Sequence, residues 1–221
     1  TNSKLDTARS KIPTLWHVAL SHIQSIWPDA VLAGGALRDL FAGYHPDSAK
    51  DLDIFVEQHG INDFVYDAHA AVECLRKRGL WLSKTSLVMD ASRYTSWDSE
   101  VVSLVNYGVA GLPMPVQVVA TTQPTRQICD RFDTVISQIA FDGTTLWSSE
   151  DFLSAMENKR NWIIRYRKKS EFQRTLRRVG KLFGKYPWPV YLHPNLPNEA
   201  ADCLSNLKIE GAVGSDLVYL D

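Results

Sequence analysis

The chain of 221 residues holds only three cysteines, Cys74, Cys129 and Cys203, far apart and without a C-x-x-C pattern. That excludes both a disulfide framework and a zinc module. No apolar run approaches the ~20 residues that span a bilayer, and the first thirty residues lack the basic-then-apolar pattern of a secretory signal. A cytoplasmic protein with no membrane partner is the expectation. Six histidines, His17, His22, His45, His59, His69 and His193, show no ligand spacing, so structural or surface roles are expected for them. Internal repeats and low-complexity tracts are also missing, and 45% hydrophobic with 22% charged residues is a globular composition that excludes global disorder. The sequence opens at Thr1 rather than at a methionine, so a missing or processed terminus is expected.

Net charge is also scarce, at -1, but this neutrality is a cancellation. Between Asn158 and Lys185 lie eleven basic residues against the single acid Glu171, a net of +10. Thirteen of the 24 Lys and Arg and 24 of the 25 Asp and Glu lie outside that stretch, so the remainder carries -11. An asymmetry of this size points to a polyanionic partner. Arg165, Arg167, Lys168, Lys169, Arg174, Arg177, Arg178 and Lys181 are expected to meet a nucleic-acid backbone. Trp162, Tyr166 and Phe172 beside them suit base stacking.

Trp16, Leu20, Ile23 and Trp27 recur at helical spacing, which predicts an amphipathic helix over Leu15 to Trp27, ended by Pro28. An apolar run, Ala30 to Ala33, breaks at Gly34-Gly35 and resumes as a helix over Ala36 to Phe41. After a loop in which Pro46 argues against helix, Asp51 to Glu57 alternates as a strand. A second amphipathic helix runs from Ile61 and closes on Arg76-Lys77-Arg78 and Gly79. Val101 to Tyr107 and Val116 to Ala120 read as a hairpin-like pair of strands. A short helix over Pro124 to Arg131 and a strand over Val135 to Phe141 follow, turning at Asp142-Gly143 toward Thr144 to Trp147. From Ser148 the pattern becomes helical, with capping boxes at Ser148 with Asp151 and Ser170 with Gln173. Four prolines between Pro187 and Pro197 predict an irregular segment before a last helix around Ala200 to Leu207. The expected organisation is an α/β part over 1–148 and a basic, helical part over 149–221.

The chemistry concentrates in Leu32-Ala-Gly-Gly-Ala-Leu-Arg-Asp39 and, after a loop, Lys50-Asp-Leu-Asp-Ile54. Side chains alternate along a strand, so Asp51 and Asp53 share one face and repel each other. Asp is also disfavoured inside strands. A bound divalent cation explains the pair, and oxygen ligands without His or Cys select magnesium or manganese. Gly34-Gly35 opens a helix whose first amides are unpaired and suited to phosphate, and Arg38 lies one turn further on. Together these describe a nucleoside triphosphate site. The reaction expected of it is in-line attack of a hydroxyl on the α-phosphorus with loss of pyrophosphate.

On Gly34, Gly35, Arg38, Asp39, Asp51 and Asp53 the sequence resembles the nucleotidyltransferase superfamily that includes DNA polymerase β. More narrowly, it resembles the head domains of tRNA CCA-adding enzymes and poly(A) polymerases, with their Gly-Gly-x-x-Arg-Asp helix followed by Asp-x-Asp. The resemblance covers about residues 30 to 57. It implies an α+β fold, a mixed β-sheet flanked by helices, followed by a small helical region. It also implies Asp51 and Asp53 as metal-holding acids, and Gly34, Gly35 and Arg38 on the triphosphate. Asp39 is given the structural role of fixing Arg38 or the helix.

This superfamily carries a third carboxylate on a neighbouring strand, and there the sequence departs from it. Pro115-Val-Gln-Val-Val119 offers Gln117 at roughly that place, and an amide ligates but takes no proton. Asp133, in Arg131-Phe-Asp-Thr134, is the expected third acid, by similarity to viral and phage members; Glu100 and Asp90 are weaker candidates. The expected function is magnesium- or manganese-dependent transfer of a nucleoside monophosphate from an NTP to a hydroxyl of RNA, such as a tRNA 3' end. Two alternatives stand: a protein or small-molecule acceptor, and a non-catalytic nucleotide-binding module, which Gln117 favours.

Overall fold

The computed structural model describes residues 3–77, 85–86 and 100–205. The chain divides into two compact units, residues 1–129 with 139–147, and residues 130–138 with 148–221. Arg78, Gly79, Asp90 and Leu207 lie outside the described residues.

The first unit contains α1 (Ser3–Ser10), α2 (Thr14–Gln24), β1 (Val31–Ala33), α3 (Gly35–Phe41), β2 (Leu52–Glu57) and α4 (Ile61–Lys77). It continues with β3 (Thr85–Ser86), β4 (Val101–Tyr107), β5 (Val116–Thr121), β6 (Ile139–Phe141) and β7 (Leu146–Ser148). These strands form one mixed sheet in the order β3-β4-β5-β2-β1-β6-β7. β2 and β5 run parallel; β1 pairs antiparallel with β2 and β6, and β4 with β3 and β5. The architecture is α+β, as the sequence leads one to expect.

Alternation in β2 buries Leu52, Ile54 and Val56 on one face, beside Val116, Val118 and Ala120 of β5. On β4 the same face carries Tyr107, whose hydroxyl donates to the Ala68 carbonyl of α4 at 3.0 Å. Burial pushes the Tyr107 phenol well above its ordinary pKa, so it stays a donor. The apolar stripe of α2 is buried as its spacing predicts, at Trp16, Leu20 and Ile23, and Trp27 after the helix packs its ring against Phe64 of α4. At roughly 1.5–3 kcal/mol for each large apolar side chain, this stripe anchors α2 by several kcal/mol before its ordering cost.

The second unit contains α5 (Glu150–Asn158), β8 (Asn161–Ile163), α6 (Lys169–Phe183), β9 (Val190–Leu192) and α7 (Asn198–Ser205). β8 and β9 pair in parallel, and Thr134 bridges to Ile163. Its core joins Ile163, Phe172, Leu176, Val179, Val190, Ala200 and Cys203.

Several local expectations need correcting. Residues 135–137 form a 3-10 turn rather than the start of a strand: Ser137 N donates to Thr134 O at 3.1 Å, and the two hydroxyls bond at 3.1 Å. The cap of α5 is Ser149, not Ser148, because the extended backbone at Ser149 lets its hydroxyl accept from Phe152 N at 3.1 Å. Helix α6 starts at Lys169 with Lys168 as N-cap, so Ser170 lies inside the helix and caps nothing. Pro46 begins a single 3-10 turn, Pro46–Ser48, where its fixed φ suits the first position. Among the described residues no helix is long and apolar enough to cross a membrane.

Candidate active site

Strand register assembles the site. β1 pairs with β2 as Val31 to Phe55 and Leu32 to Ile54. Continuing that antiparallel register carries Gly34-Gly35 to the end of β2 where Asp51 and Asp53 stand. The Gly34 amide donates to Ile139 O of β6 at 2.9 Å and its carbonyl accepts from Arg38 N at 3.0 Å, so the turn is tied to the sheet and to α3. Gly34 has φ 85° and ψ -129°, a region closed to L side chains. The chain leaves the sheet at that angle only because residue 34 is glycine. Gly35 has ordinary helical geometry, and a Cβ built there meets only Arg38 Nη2, at 3.6 Å.

Arg38 and Asp39 are both buried, and Asp39 Oδ1 accepts from Arg38 Nε at 2.9 Å and Nη2 at 2.8 Å. The carboxylate neutralises the guanidinium and fixes its plane under the Gly34-Gly35 turn. Helix α3 packs against β1, β2 and β6, which holds this pair beside the Asp51-Asp53 end of the sheet.

On β5, Gln117 is the register partner of Asp53, and on β4 Asn106 is the partner of Gln117. Partnered residues share a sheet face, so Asp53, Gln117 and Asn106 form one row across three strands. Gln117 Nε2 donates to Asn106 Oδ1 at 2.9 Å, which leaves the Gln117 carbonyl oxygen as its ligating atom. The strand position beside Asp53 therefore holds an amide where a third acid is expected from the resemblance.

Of the alternative acids, Glu100 and Asp133 have hydrogen-bond partners of their own. Glu100 precedes β4, about 20 Å along the strand from Asn106, and accepts from Gln123 Nε2 at 2.7 Å. Asp90 lies outside the described residues. Asp133 belongs to the second unit, where it accepts from Thr175 Oγ1 at 2.7 Å and from Arg178 Nη1 at 2.6 Å. Its carboxylate ties the 130–138 segment to α6.

Both carboxylates of the pair are half-buried. Burial pushes the Asp51 carboxyl above the usual carboxylate range, against the opposing pull of Lys50 beside it. Charge that is costly to bury is charge that a cation relieves. Among the described residues no three His, Cys, Asp or Glu side chains gather as a metal-holding group. Two carboxylates and one amide oxygen nevertheless suit magnesium or manganese, whose shells are usually completed by substrate phosphates and water.

Of the basic residues expected to meet nucleic acid, Lys168, Lys169, Arg177 and Lys181 are exposed, while Arg165, Arg167, Arg174 and Arg178 are half-buried. Arg165 Nη1 donates to Arg131 O at 2.5 Å, Arg178 pairs with Asp133, and Lys168 pairs with Glu171 at 3.4 Å. Part of the +10 stretch thus holds the second unit together.

No family model matches the sequence, and no curated protein matches it. Solved structures match with low identity. A CCA-adding enzyme in complex with CTP is 15% identical, with TM-score 0.58 over 97% of this chain and 48% of that one. The Thermotoga maritima CCA-adding enzyme complexed with tRNA-CCA is 14% identical, with TM-score 0.57 over 92% of this chain and 45% of that one. The apo form I of a CCA-adding enzyme gives 14% identity and TM-score 0.56, over 94% and 47%. This chain thus spans about half the length of the structures it matches. What it shares with these CCA-adding enzymes is the fold.

Proposed function

We propose that the protein is a divalent-metal-dependent nucleotidyltransferase that moves a nucleoside monophosphate from an NTP onto a hydroxyl of RNA and releases pyrophosphate. The observation that carries this reading is the convergence, at one end of the sheet, of Asp51 and Asp53 with the Gly34-Gly35 turn and the Arg38-Asp39 pair. In this reading Asp51 and Asp53 hold the metal and the Gln117 carbonyl lies within the same row. Gly35 and Arg38 receive the triphosphate, with Gly34 supplying the turn and Asp39 fixing the guanidinium. A bound divalent cation neutralises triphosphate charge and lowers the pKa of the attacking hydroxyl. The acceptor oxygen bonds to the α-phosphorus, the bond from that phosphorus to the bridging oxygen breaks, and pyrophosphate leaves. The hydroxyl proton passes to solvent, since the Gln117 amide accepts none. The reading needs no third acid from Asp133, whose oxygens are engaged by Thr175 and Arg178.

RNA as acceptor is supported by the net +10 over residues 158–185 and by the tRNA named in one structural neighbour. The test offers the protein each α-labelled triphosphate together with total RNA and total protein. Label is expected in RNA, with uptake falling steeply between roughly 50 and 200 mM salt as counterion release weakens binding. Label in protein or in a small molecule would refute the RNA acceptor. Gln117 at the place of an acid favours a second reading, a nucleotide-binding module without turnover. Calorimetric triphosphate binding with no incorporation, in magnesium and in manganese alike, would support that second reading.

A further inference from the structure

Within the second unit lies a pocket of about 240 Å³, and none of its lining residues is assigned above to the metal or the triphosphate. One wall is a face of α5, with Asp151, Ser154 and Asn158 at helical spacing; the other carries Arg160 and Trp162 of the following segment and His193 after β9. Three of these residues, Asn158, Arg160 and Trp162, belong to the +10 stretch.

The Trp162 ring is held before any ligand arrives. Trp162 and Tyr191 are register partners on β8 and β9, and their rings stack with centroids 4.9 Å apart and planes 30° apart. Tyr191 does not line the pocket, so it backs one side of the indole while Trp162 forms the lining. His193 meets the indole edge-on at 6.4 Å, and the Arg160 guanidinium sits 5.9 Å from the Tyr191 ring centre. A pre-ordered aromatic platform flanked by an exposed arginine suits a flat π system carrying a phosphate.

The opposite wall accepts hydrogen bonds. Asn158 Nδ2 donates to Ser154 O at 2.9 Å and to Ser154 Oγ at 3.3 Å, which turns its carbonyl oxygen outward as an acceptor. Asp151 adds a carboxylate two helical turns away, about 10 Å along the axis from the Asn158 and Arg160 end. A cation at one end and a carboxylate at the other match the polarity of a nucleotide whose base carries an exocyclic amine.

We propose that this pocket binds one unpaired, amine-bearing base of a single-stranded nucleic acid, stacked on Trp162, with its phosphate on Arg160 and its amine on Asp151. The proposal deepens the RNA-acceptor reading and rests on it for the partner's class. None of the lining residues is one assigned to the metal or the triphosphate, so occupancy is read without turnover.

The experiment measures anisotropy of labelled single-stranded 12-mers of cytidine, of uridine and of abasic residues with the full chain. The wild type is expected to prefer the cytidine oligomer over the abasic one by about 5- to 150-fold, the value of one stacked base. Trp162→Ala brings that ratio close to one, Trp162→Phe keeps part of it, and melting curves verify that both variants fold. Asp151→Asn narrows the preference for cytidine over uridine, while Arg160→Gln weakens all three oligomers several-fold. An equal affinity for cytidine and abasic oligomers in the wild type overturns the pocket, as does a preference that survives Trp162→Ala. If RNA is labelled from NTP and no base preference exists, the RNA reading stands and the pocket falls. If no oligomer binds and RNA is not labelled, both fall.

Discussion

The two adjacent glycines of the turn are separable by a single methyl group. At Gly34, φ 85° and ψ -129° place an L side chain in a backbone region that costs about 1–3 kcal/mol. For a chain of this size that is a fall in Tm of roughly 2–12 °C for Gly34→Ala. At Gly35 the methyl meets only Arg38 Nη2 at 3.6 Å, an ordinary contact, and the helical backbone gains about 0.4–1 kcal/mol from the lost freedom of the unfolded chain. Gly35→Ala is therefore expected to melt at or slightly above the wild-type temperature. Its effect is expected on the ligand, because the methyl stands over the guanidinium proposed to receive the triphosphate. Losing one charge-assisted hydrogen bond of about 1.5–3 kcal/mol weakens binding roughly 10- to 150-fold. Scanning fluorimetry reads the first quantity and titration calorimetry with a nucleoside triphosphate and magnesium the second. Equal destabilisation by the two variants, or full triphosphate affinity in Gly35→Ala, would refute the reasoning.

Three other outcomes follow from the same geometry. Asp39→Ala leaves the Arg38 guanidinium buried without its carboxylate, so urea denaturation should show a loss of about 3–5 kcal/mol, and an unchanged midpoint would contradict the pairing. Asp51 has a pKa raised by burial, so its contribution to stability is present at low pH and is lost as pH rises from the unfolded to the folded pKa. Asp51→Asn is thus expected to raise the Tm of metal-free protein at pH 7, with the gain shrinking once the wild-type carboxyl is protonated in acid. Asp133→Asn removes the charge facing Arg178, whose side chain is 40% exposed, so the loss should be near 1 kcal/mol with triphosphate affinity intact. A collapse of incorporation in a folded Asp133→Asn would identify Asp133 as the third acid.

Local signals were the legible ones. Glycine at 34 and 35, the alternation of β2 and the apolar stripe of α2 are each decided by neighbours within a few residues, and the fold honours all three. Gln117 was visible as an anomaly because its strand alternates clearly, but its alignment with Asp53 rather than with a residue two along depends on the β2 to β5 register. Sequence patterns miss what is decided at a distance. β8 and β9 are three residues each and pair across the whole of α6, so neither is long enough to show alternation. The partners of Asp133, Thr175 and Arg178, are not legible in the sequence because they lie 42 and 45 residues downstream. The apolar run from Val135 reads as a single strand because nothing in its periodicity shows that Thr134 and Ser137 close a turn with their hydroxyls. The pocket beside Trp162 was only half legible: the aromatic and basic residues stand together in sequence, while Asp151 and His193 reach it through the fold.

The most direct test of the account is magnesium-dependent incorporation of labelled nucleotide by the wild type, Asp51→Asn and Asp53→Asn, each shown to be folded by its melting curve. The account predicts incorporation by the wild type that stops on chelation, and none by either variant. Wild-type turnover retained in both folded variants would contradict it.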